Sequence, residues 1–271
     1  MPELPEVETT CKGIAPHIEN NTITKVIVRN RSLRWPIPTG LNKKFTTQKI
    51  ISVTRRAKYI LVNTNIGTLI IHLGMSGSLR ILDSTEPVEK HDHFELQFED
   101  GISLRLRDPR RFGCVLWEKD NPCEHKLLVN LGPEPLDEKF YAELLFEKSR
   151  KRKTTIKQFI MDAKIVVGVG NIYASESLFL AGINPKKLAG KITKQNSLDL
   201  TAAIKKILKQ AIKQGGTTLK DFTSIDGKPG YFQQKLKVYN RTDEPCVKCK
   251  KSIKQITLGQ RSTFYCSSCQ K

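Results

Sequence analysis

The stretch Phe94-Glu-Leu-Gln-Phe-Glu-Asp-Gly-Ile-Ser-Leu-Arg-Leu106 decides the architecture of the first half of the chain. Phe94, Leu96 and Phe98 alternate with polar residues, and so do Ile102, Leu104 and Leu106. A period of two puts each set on one face of a strand. Glu99-Asp100-Gly101 between them is turn chemistry, so the segment reads as a β-hairpin with one buried face. The pattern extends on both sides. Thr22–Val28, Ile50–Thr54 and Tyr59–Val62 are rich in β-branched residues, Leu69–Ile71 continues them, and Phe112–Trp117 reads as another strand. Many short strands with turn signals predict a sandwich or flattened barrel.

Ahead of this region, Leu4, Val7, Cys11, Ile14 and Ile18 step by 3, 4, 3 and 4. That is one apolar face of a helix, weakened by Gly13 and expected to kink or end at Pro16. Beyond the strands, Leu131-Gly-Pro-Glu-Pro135 is a break, and a domain boundary belongs near it. The chain past this break is helical: Glu138–Glu147; Thr154–Ala163, with Ile156, Phe159, Ile160 and Ala163 on one face; Ile172–Leu180, stopped by Gly182 and Pro185; and Leu198–Ile212, ended by Gly215 and Gly216. Thr223–Tyr231 is polar and rich in Gly and Pro, and reads as a flexible loop.

The 271 residues carry 46 Lys and Arg against 27 Asp and Glu, a net charge of +19 spread along the whole chain. A folded protein this basic points to a polyanionic partner, with nucleic acid first. No apolar run is long enough for a transmembrane helix, and the N-terminus lacks a signal pattern, so a cytoplasmic protein is expected. Four of seven cysteines form Cys246-x-x-Cys249 and Cys266-x-x-Cys269, sixteen residues apart. In a reducing compartment that spacing predicts a four-thiolate zinc ribbon with one structural zinc. Cys11 and Cys114 sit in apolar patterns and read as small buried hydrophobes.

Several residues carry possible chemistry. Removal of Met1 would leave Pro2 as the terminus; its α-amine, with a pKa of about 8, is unprotonated often enough to attack an electrophilic carbon. Glu3 beside it suits general acid/base work. Pro and early Glu are also ordinary chemistry for a helix start. Gly168-Val-Gly-Asn171 opens a helix whose N-terminus favours an anion, and Lys153, Lys157 and Lys220 could complete a phosphate clamp. In Arg107-Asp-Pro-Arg-Arg-Phe-Gly113, Phe112 can wedge into a base stack while Arg110 pairs with a base edge; a basic turn with a tucked-in Phe is the plainer alternative. Met75, between glycines, reads by itself as core filler. His91 and His93 fall on one face of a strand with too few further ligands for a metal, which leaves His91 for a DNA-facing turn. Lys58 is a solvated charge or an active-site cation, and Arg261 can grip a phosphate.

The blocks MPELPEVET, RRAKY, HLGMSGSLR, KHDH, DPRRFG, LGPEP, VVGVGNIYASE, GGTTLKDF and QRSTFYCSSCQK succeed one another from residue 2 to residue 271. Together they resemble bacterial formamidopyrimidine-DNA glycosylases of the MutM type. The resemblance implies an α+β chain. Residues 1–131 would form an N-terminal β-sandwich catalytic domain with its helix, 132–149 a linker and leading helix, 150–235 a helix–two-turn–helix domain, and 236–271 a zinc finger. It implies a monomeric, nucleoid-associated repair enzyme that binds double-stranded DNA between its domains, flips out oxidised purines such as 8-oxoguanine and formamidopyrimidines, and excises them. Pro2 would form the Schiff base, Glu3 move protons at the sugar, and Lys58 and Arg261 serve β- and δ-elimination. His91, Arg110, Lys153, Lys157, Asn171 and Lys220 would contact DNA. Met75, Arg110 and Phe112 would fill the gap left by the flipped base, Arg110 reading the opposite cytosine, and Thr223–Tyr231 would cover the damaged base. Cys246, Cys249, Cys266 and Cys269 would hold zinc. The neighbouring readings are an endonuclease VIII-like enzyme for oxidised pyrimidines, which usually begins PEGPE and lacks the Met/Arg/Phe set, and a non-catalytic zinc-containing damage-binding protein.

Overall fold

Ten strands and six helices make up the described regular structure, apart from two short 3-10 turns. The computed structural model describes residues 2–216 and 236–271, and the chain divides into two compact units. In the first, which takes in residues 2–129 together with Gly215 and Gly216, eight strands form two antiparallel sheets. β1 (Ile23–Val28), β6 (Asp92–Phe98), β7 (Ile102–Arg107) and β5 (Ser78–Asp83) lie in that order in one sheet; β2 (Ile50–Arg56), β3 (Tyr59–Thr64), β4 (Gly67–His72) and β8 (Cys114–Glu118) form the other. Phe94, Leu96, Leu104 and Leu106 of the first sheet share one buried core with Ile60, Val62, Leu69 and Ile71 of the second, which makes the unit a sandwich.

The expected hairpin is β6–β7, with Phe94 opposite Leu106 and Leu96 opposite Leu104, turning at Gly101 with φ +86°. Its second face departs from expectation, because it is buried too. Glu95, Arg105 and Asp92 are almost wholly enclosed. Arg105 pairs with Glu95 at 3.1 Å and donates to the carbonyls of Pro87 and Glu86, while Arg29 pairs with Glu95 and Arg80 with Asp92. Charge balance lets a polar face lie under the 84–90 segment. Alternation cannot foresee such a cover; the strand β5, where Leu79 and Ile81 alternate with Ser78 and Arg80, and the short helix α2 (Leu41–Phe45) are further elements the sequence reading did not include.

Helix α1 runs from Leu4 to Ile18, and the predicted stripe Leu4, Val7, Cys11, Ile14 and Ile18 is buried along its full length. Pro16 does not end it at once, because the helix runs on to Ile18. Sitting two residues from the C-terminus, Pro16 removes one backbone bond, and Glu19 N–H still reaches the Ala15 carbonyl at 2.9 Å. Burial pushes the Cys11 and Cys114 thiols up to about 12, so both behave as small hydrophobes.

The second unit holds α3 (Ala142–Ser149), α4 (Ile156–Met161), α5 (Asn171–Leu180), α6 (Lys194–Lys213) and the hairpin β9 (Lys254–Leu258) with β10 (Arg261–Tyr265). α4 is shorter than its apolar pattern suggested. Thr155 caps it, its hydroxyl accepting from Gln158 N–H at 3.3 Å, and Ala163 lies exposed beyond its end. α3 starts four residues later than expected, after the buried Phe140. α6 starts four residues earlier, because Thr193 and Asn196 make a reciprocal capping box with Asn in place of the usual Glu or Gln. Among the described residues no helix is long and apolar enough to cross a membrane.

Candidate active site and DNA interface

The site residues fall in both units. In the first unit, the chain enters α1 at Glu3, whose N–H donates to the Glu6 carboxylate at 2.8 Å. Glu3 is 2% and Glu6 1% exposed, so two carboxylates stand almost dry beside Pro2. The positive end of α1 favours charge there. Glu6 was not expected in the site. The signal was present as the three-residue spacing of a capping box. Gly216 closes on the same group: at φ +78°, a Cβ there would lie 3.2 Å from Glu6 Oε1.

Lys58 lies in the two-residue turn between β2 and β3, after Ala57 at φ +54°. The turn is held by Arg55, which donates to the Ala57 carbonyl and to Glu8 of α1, each at 2.8 Å. Burial works against ionisation of Glu8, but Arg55 and Lys12 outweigh it and hold the carboxyl below its usual range. Nearby His72 is pushed down to about 4, first by burial and then by the Lys58 and Arg34 cations. A neutral His72 ring accepts the Gly74 N–H on Nδ1 at 3.0 Å, and this shapes the turn that carries Met75.

Met75, half-buried, is not core filler. Its loop touches the loop carrying Arg110 and Phe112: a Cβ on Gly74 would fall 2.5 Å from the Phe112 backbone. Phe112 is 43% exposed and lies outside β8, so the tucked-in reading fails. The Arg110 guanidinium lies 4.9 Å from the Phe112 ring centroid. His91 precedes β6 at φ +78°, outside the strand, with its ring centroid 6.1 Å from that of His93. Left-handed non-glycine residues stand at or beside several predicted sites: Ala57, His91, Arg111, Lys151 and Gln260. Such conformations cost energy and persist where neighbours over-determine them.

In the second unit, Lys153 is exposed just ahead of α4. Lys157 corrects the expectation made for it. It is 1% exposed, and its ammonium donates to Asn171 Oδ1 at 2.6 Å, Thr263 Oγ1 at 2.7 Å and the Ser262 carbonyl at 3.0 Å. An ammonium has three donors, so this charge ties protein to protein rather than reaching phosphate. Asn171 joins the tie, donating from Nδ2 to the same Ser262 carbonyl at 3.0 Å. The tie brackets Arg261, the exposed first residue of β10. Gly259 and Gln260, both at positive φ, turn β9 into β10, and a Cβ on Gly259 would strike Gln158 at 2.5 Å. Lys220 and the Thr223–Tyr231 segment lie outside the described residues.

The four cysteine sulfurs lie within 4.8 Å of one another, with Cys246 to Cys269 at 3.9 Å and Cys249 to Cys266 at 3.4 Å. Tetrahedral zinc with Zn–S of about 2.3 Å requires edges of about 3.8 Å, so the set fits one structural zinc. Cys246 and Cys266 share a small core with Val238, Ile253, Phe264 and Phe179 of α5.

Three family models match the chain: the formamidopyrimidine-DNA glycosylase N-terminal domain over residues 1–115, the H2TH domain of the same enzyme over 131–223, and a zinc finger found in FPG and IleRS over 243–271. The chain belongs to the formamidopyrimidine-DNA glycosylase family. Formamidopyrimidine-DNA glycosylase of Pseudomonas putida is 54% identical over 271 residues, all of both chains, and that of Hydrogenovibrio crunogenus is 56% identical over all of this chain and 97% of its own. The crystal structure of the Thermus thermophilus MutM (Fpg) protein superposes with a TM-score of 0.89 at 33% identity, covering 99% of this chain and 98% of that one. Lactococcus lactis Fpg in complex with abasic-site DNA gives 0.92, also at 33% identity and covering 99% of each chain. The family's α+β build, sandwich, helical domain and finger are those described above.

Proposed function

We propose that this chain is a base-excision-repair DNA glycosylase and AP lyase that removes oxidised purines from duplex DNA. The full-length relationship supports the activity, and family members have been captured with abasic-site and Fapy-dG DNA. The observation that carries it is the dry Glu3–Glu6 pair where Pro2 meets α1. With Met1 removed, the Pro2 nitrogen attacks C1′ of the damaged nucleotide and the base leaves with the glycosidic electron pair. Glu3 handles the proton at the sugar oxygen as the ring opens to an iminium. The iminium acidifies C2′–H; loss of that proton breaks the C3′–O bond, and a second elimination breaks C5′–O. Lys58 supplies the proton for the first elimination and Arg261 for the second.

His91, Arg110, Lys153 and Lys220 bind the phosphates and the opposite strand. Met75, Arg110 and Phe112 occupy the gap in the stack, which favours purine lesions over the pyrimidine specificity of endonuclease VIII-like relatives. Asn171 contacts phosphate as well, and the buried Lys157 supports this surface by holding Asn171, the Ser262 carbonyl and the Thr263 hydroxyl. The division into a catalytic domain over 1–131, a linker over 132–149, a helix–two-turn–helix domain over 150–235 and a finger over 236–271 accords with the same reading, as does action as a monomer in the cytoplasm, at the nucleoid.

Borohydride in the presence of an 8-oxoguanine duplex should cross-link the chain to DNA. Pro2→Gly should abolish most cross-linking while duplex binding survives. Binding without any adduct from the processed wild-type chain would make this a damage reader and sink the enzyme.

A further inference from the structure

Asp108 has no role in the chemistry just described, yet it is completely buried at the end of β7. Its carboxylate faces two loops at once. Oδ2 accepts from Gly113 N–H at 2.8 Å, and Oδ1 accepts from Ser76 Oγ at 3.4 Å. Its backbone serves two more segments. The Asp108 N–H donates to the His91 carbonyl at 3.0 Å, and its carbonyl accepts from His93 Nε2 at 3.0 Å and from Arg111 N–H at 3.1 Å. Space is already spent: a Cβ on Gly113 would lie 3.0 Å from Asp108 Oδ2 and 2.5 Å from the His72 carbonyl.

We propose that Asp108 is the positioning residue that sets Met75, Arg110 and Phe112, together with His91, at fixed distances from one another, so that the three loops enter the duplex as one rigid wedge. The inference rests on the function proposed above. Ser76 comes directly after Met75, Gly113 directly after Phe112, and His91 is joined through its own carbonyl, so one buried carboxylic residue touches every loop of the wedge. Arg110 and Phe112 are exposed and Met75 and His91 only half-buried, so none of the four lies in the core. The Gly113 N–H bond, at 2.8 Å, is the short one and the Ser76 contact, at 3.4 Å, the longer, and a misplacement of about 1 Å at a site can cost on the order of 100-fold in rate.

Two substrates separate this role from general support of the fold. Excision of 8-oxoguanine opposite cytosine in a duplex needs the wedge. Borohydride trapping on a single-stranded abasic oligonucleotide needs the Pro2 chemistry but has no opposite base and no stack to fill. Asp108→Ala should lower duplex excision by about tenfold or more while trapping on the single strand stays within about twofold. Discrimination between cytosine and adenine opposite the lesion should shrink in the same variant. Asp108→Asn retains an acceptor for Gly113 N–H and offers Ser76 a donor, so it should recover most of the duplex activity. Ser76→Ala removes one tie alone and should show the same split in milder form, which keeps the test readable if Asp108→Ala does not fold.

Equal losses on both substrates in Asp108→Ala and Ser76→Ala would overturn the inference, because Asp108 would then hold the domain rather than the wedge. Unchanged duplex excision and unchanged discrimination would overturn it as well. A wild-type chain that traps on neither substrate would strike the proposed function and take this inference with it.

Discussion

Replacing Lys157 by Met separates two roles that give opposite results. A phosphate-binding lysine releases counterions, and its loss reduces the slope of log K against log salt by about 0.9 while stability holds. A lysine tied inside the protein does the reverse. The methionine side chain would fill nearly the same volume but donate nothing to Asn171 Oδ1, the Ser262 carbonyl or Thr263 Oγ1. Hydrogen bonds from a charged donor contribute about 1.5–3 kcal/mol each. Part of that gross sum is offset, because the variant no longer buries a charge, which itself costs several kcal/mol. Ser262 keeps its bond from Asn171 Nδ2, and Thr263 keeps its bond to the Arg261 carbonyl, so the main stranded acceptor is Asn171 Oδ1. The net loss should be about 2–3 kcal/mol. It should be local to the second unit, where α4 and the β9–β10 hairpin meet. Hydrogen exchange of the peptide spanning residues 254–265 is the direct assay. Amides there that exchange through local opening should speed up by roughly 30- to 150-fold, at tenfold per 1.4 kcal/mol. The salt slope for duplex binding should not move. A fall in that slope with unchanged exchange would refute the internal tie and return Lys157 to the phosphate surface.

Lys153→Met should behave as the mirror image, lowering the salt slope by about 0.9 with little effect on stability, as a titration of binding against salt would report. His72 is pushed down to about 4 against 6.5 when free, so below pH 6.5 the unfolded chain binds more protons than the folded one. Its contribution, about 3 kcal/mol, is therefore complete above pH 6.5 and is lost as pH falls towards 4; denaturant melts across that window should flatten in His72→Gln. Glu176 is buried, and its carboxylate accepts from the N–H groups of Lys237, Val238 and Tyr239 at 2.9–3.1 Å. In Glu176→Gln one acceptor becomes a donor facing amides, which should loosen residues 236–239 by about 1–3 kcal/mol in hydrogen exchange. Native mass spectrometry should report one zinc per chain; stripping it should unfold the finger, where metal binding supplies on the order of 10 kcal/mol, and loss of protection at Phe264 and Tyr265 would register the change.

Much of this protein is written locally. The 3-4-3-4 stripe of α1 and the alternation of β6 and β7 appear wherever one face is apolar, because burial has a period that the chain displays directly. The four thiolates are legible for the same reason: metal geometry dictates short, fixed spacings. Residue types also exposed the candidate nucleophile and the basic loops, whereas Met75 joined Arg110 and Phe112 only through the family resemblance. Tertiary structure decided where each charge points. Lys153 and Lys157 stand four residues apart with the same side chain, yet one faces solvent and the other lies among Asn171, Ser262 and Thr263, partners up to 106 residues away. Arg105 and Glu95 look like the solvated side of a hairpin until the 84–90 segment covers them. Asp108 is one more turn-forming aspartate until Ser76 and Gly113 arrive on its two oxygens. The free energy of a charged side chain is set by the groups that surround it, and those groups come from elements far along the chain, which no local pattern records.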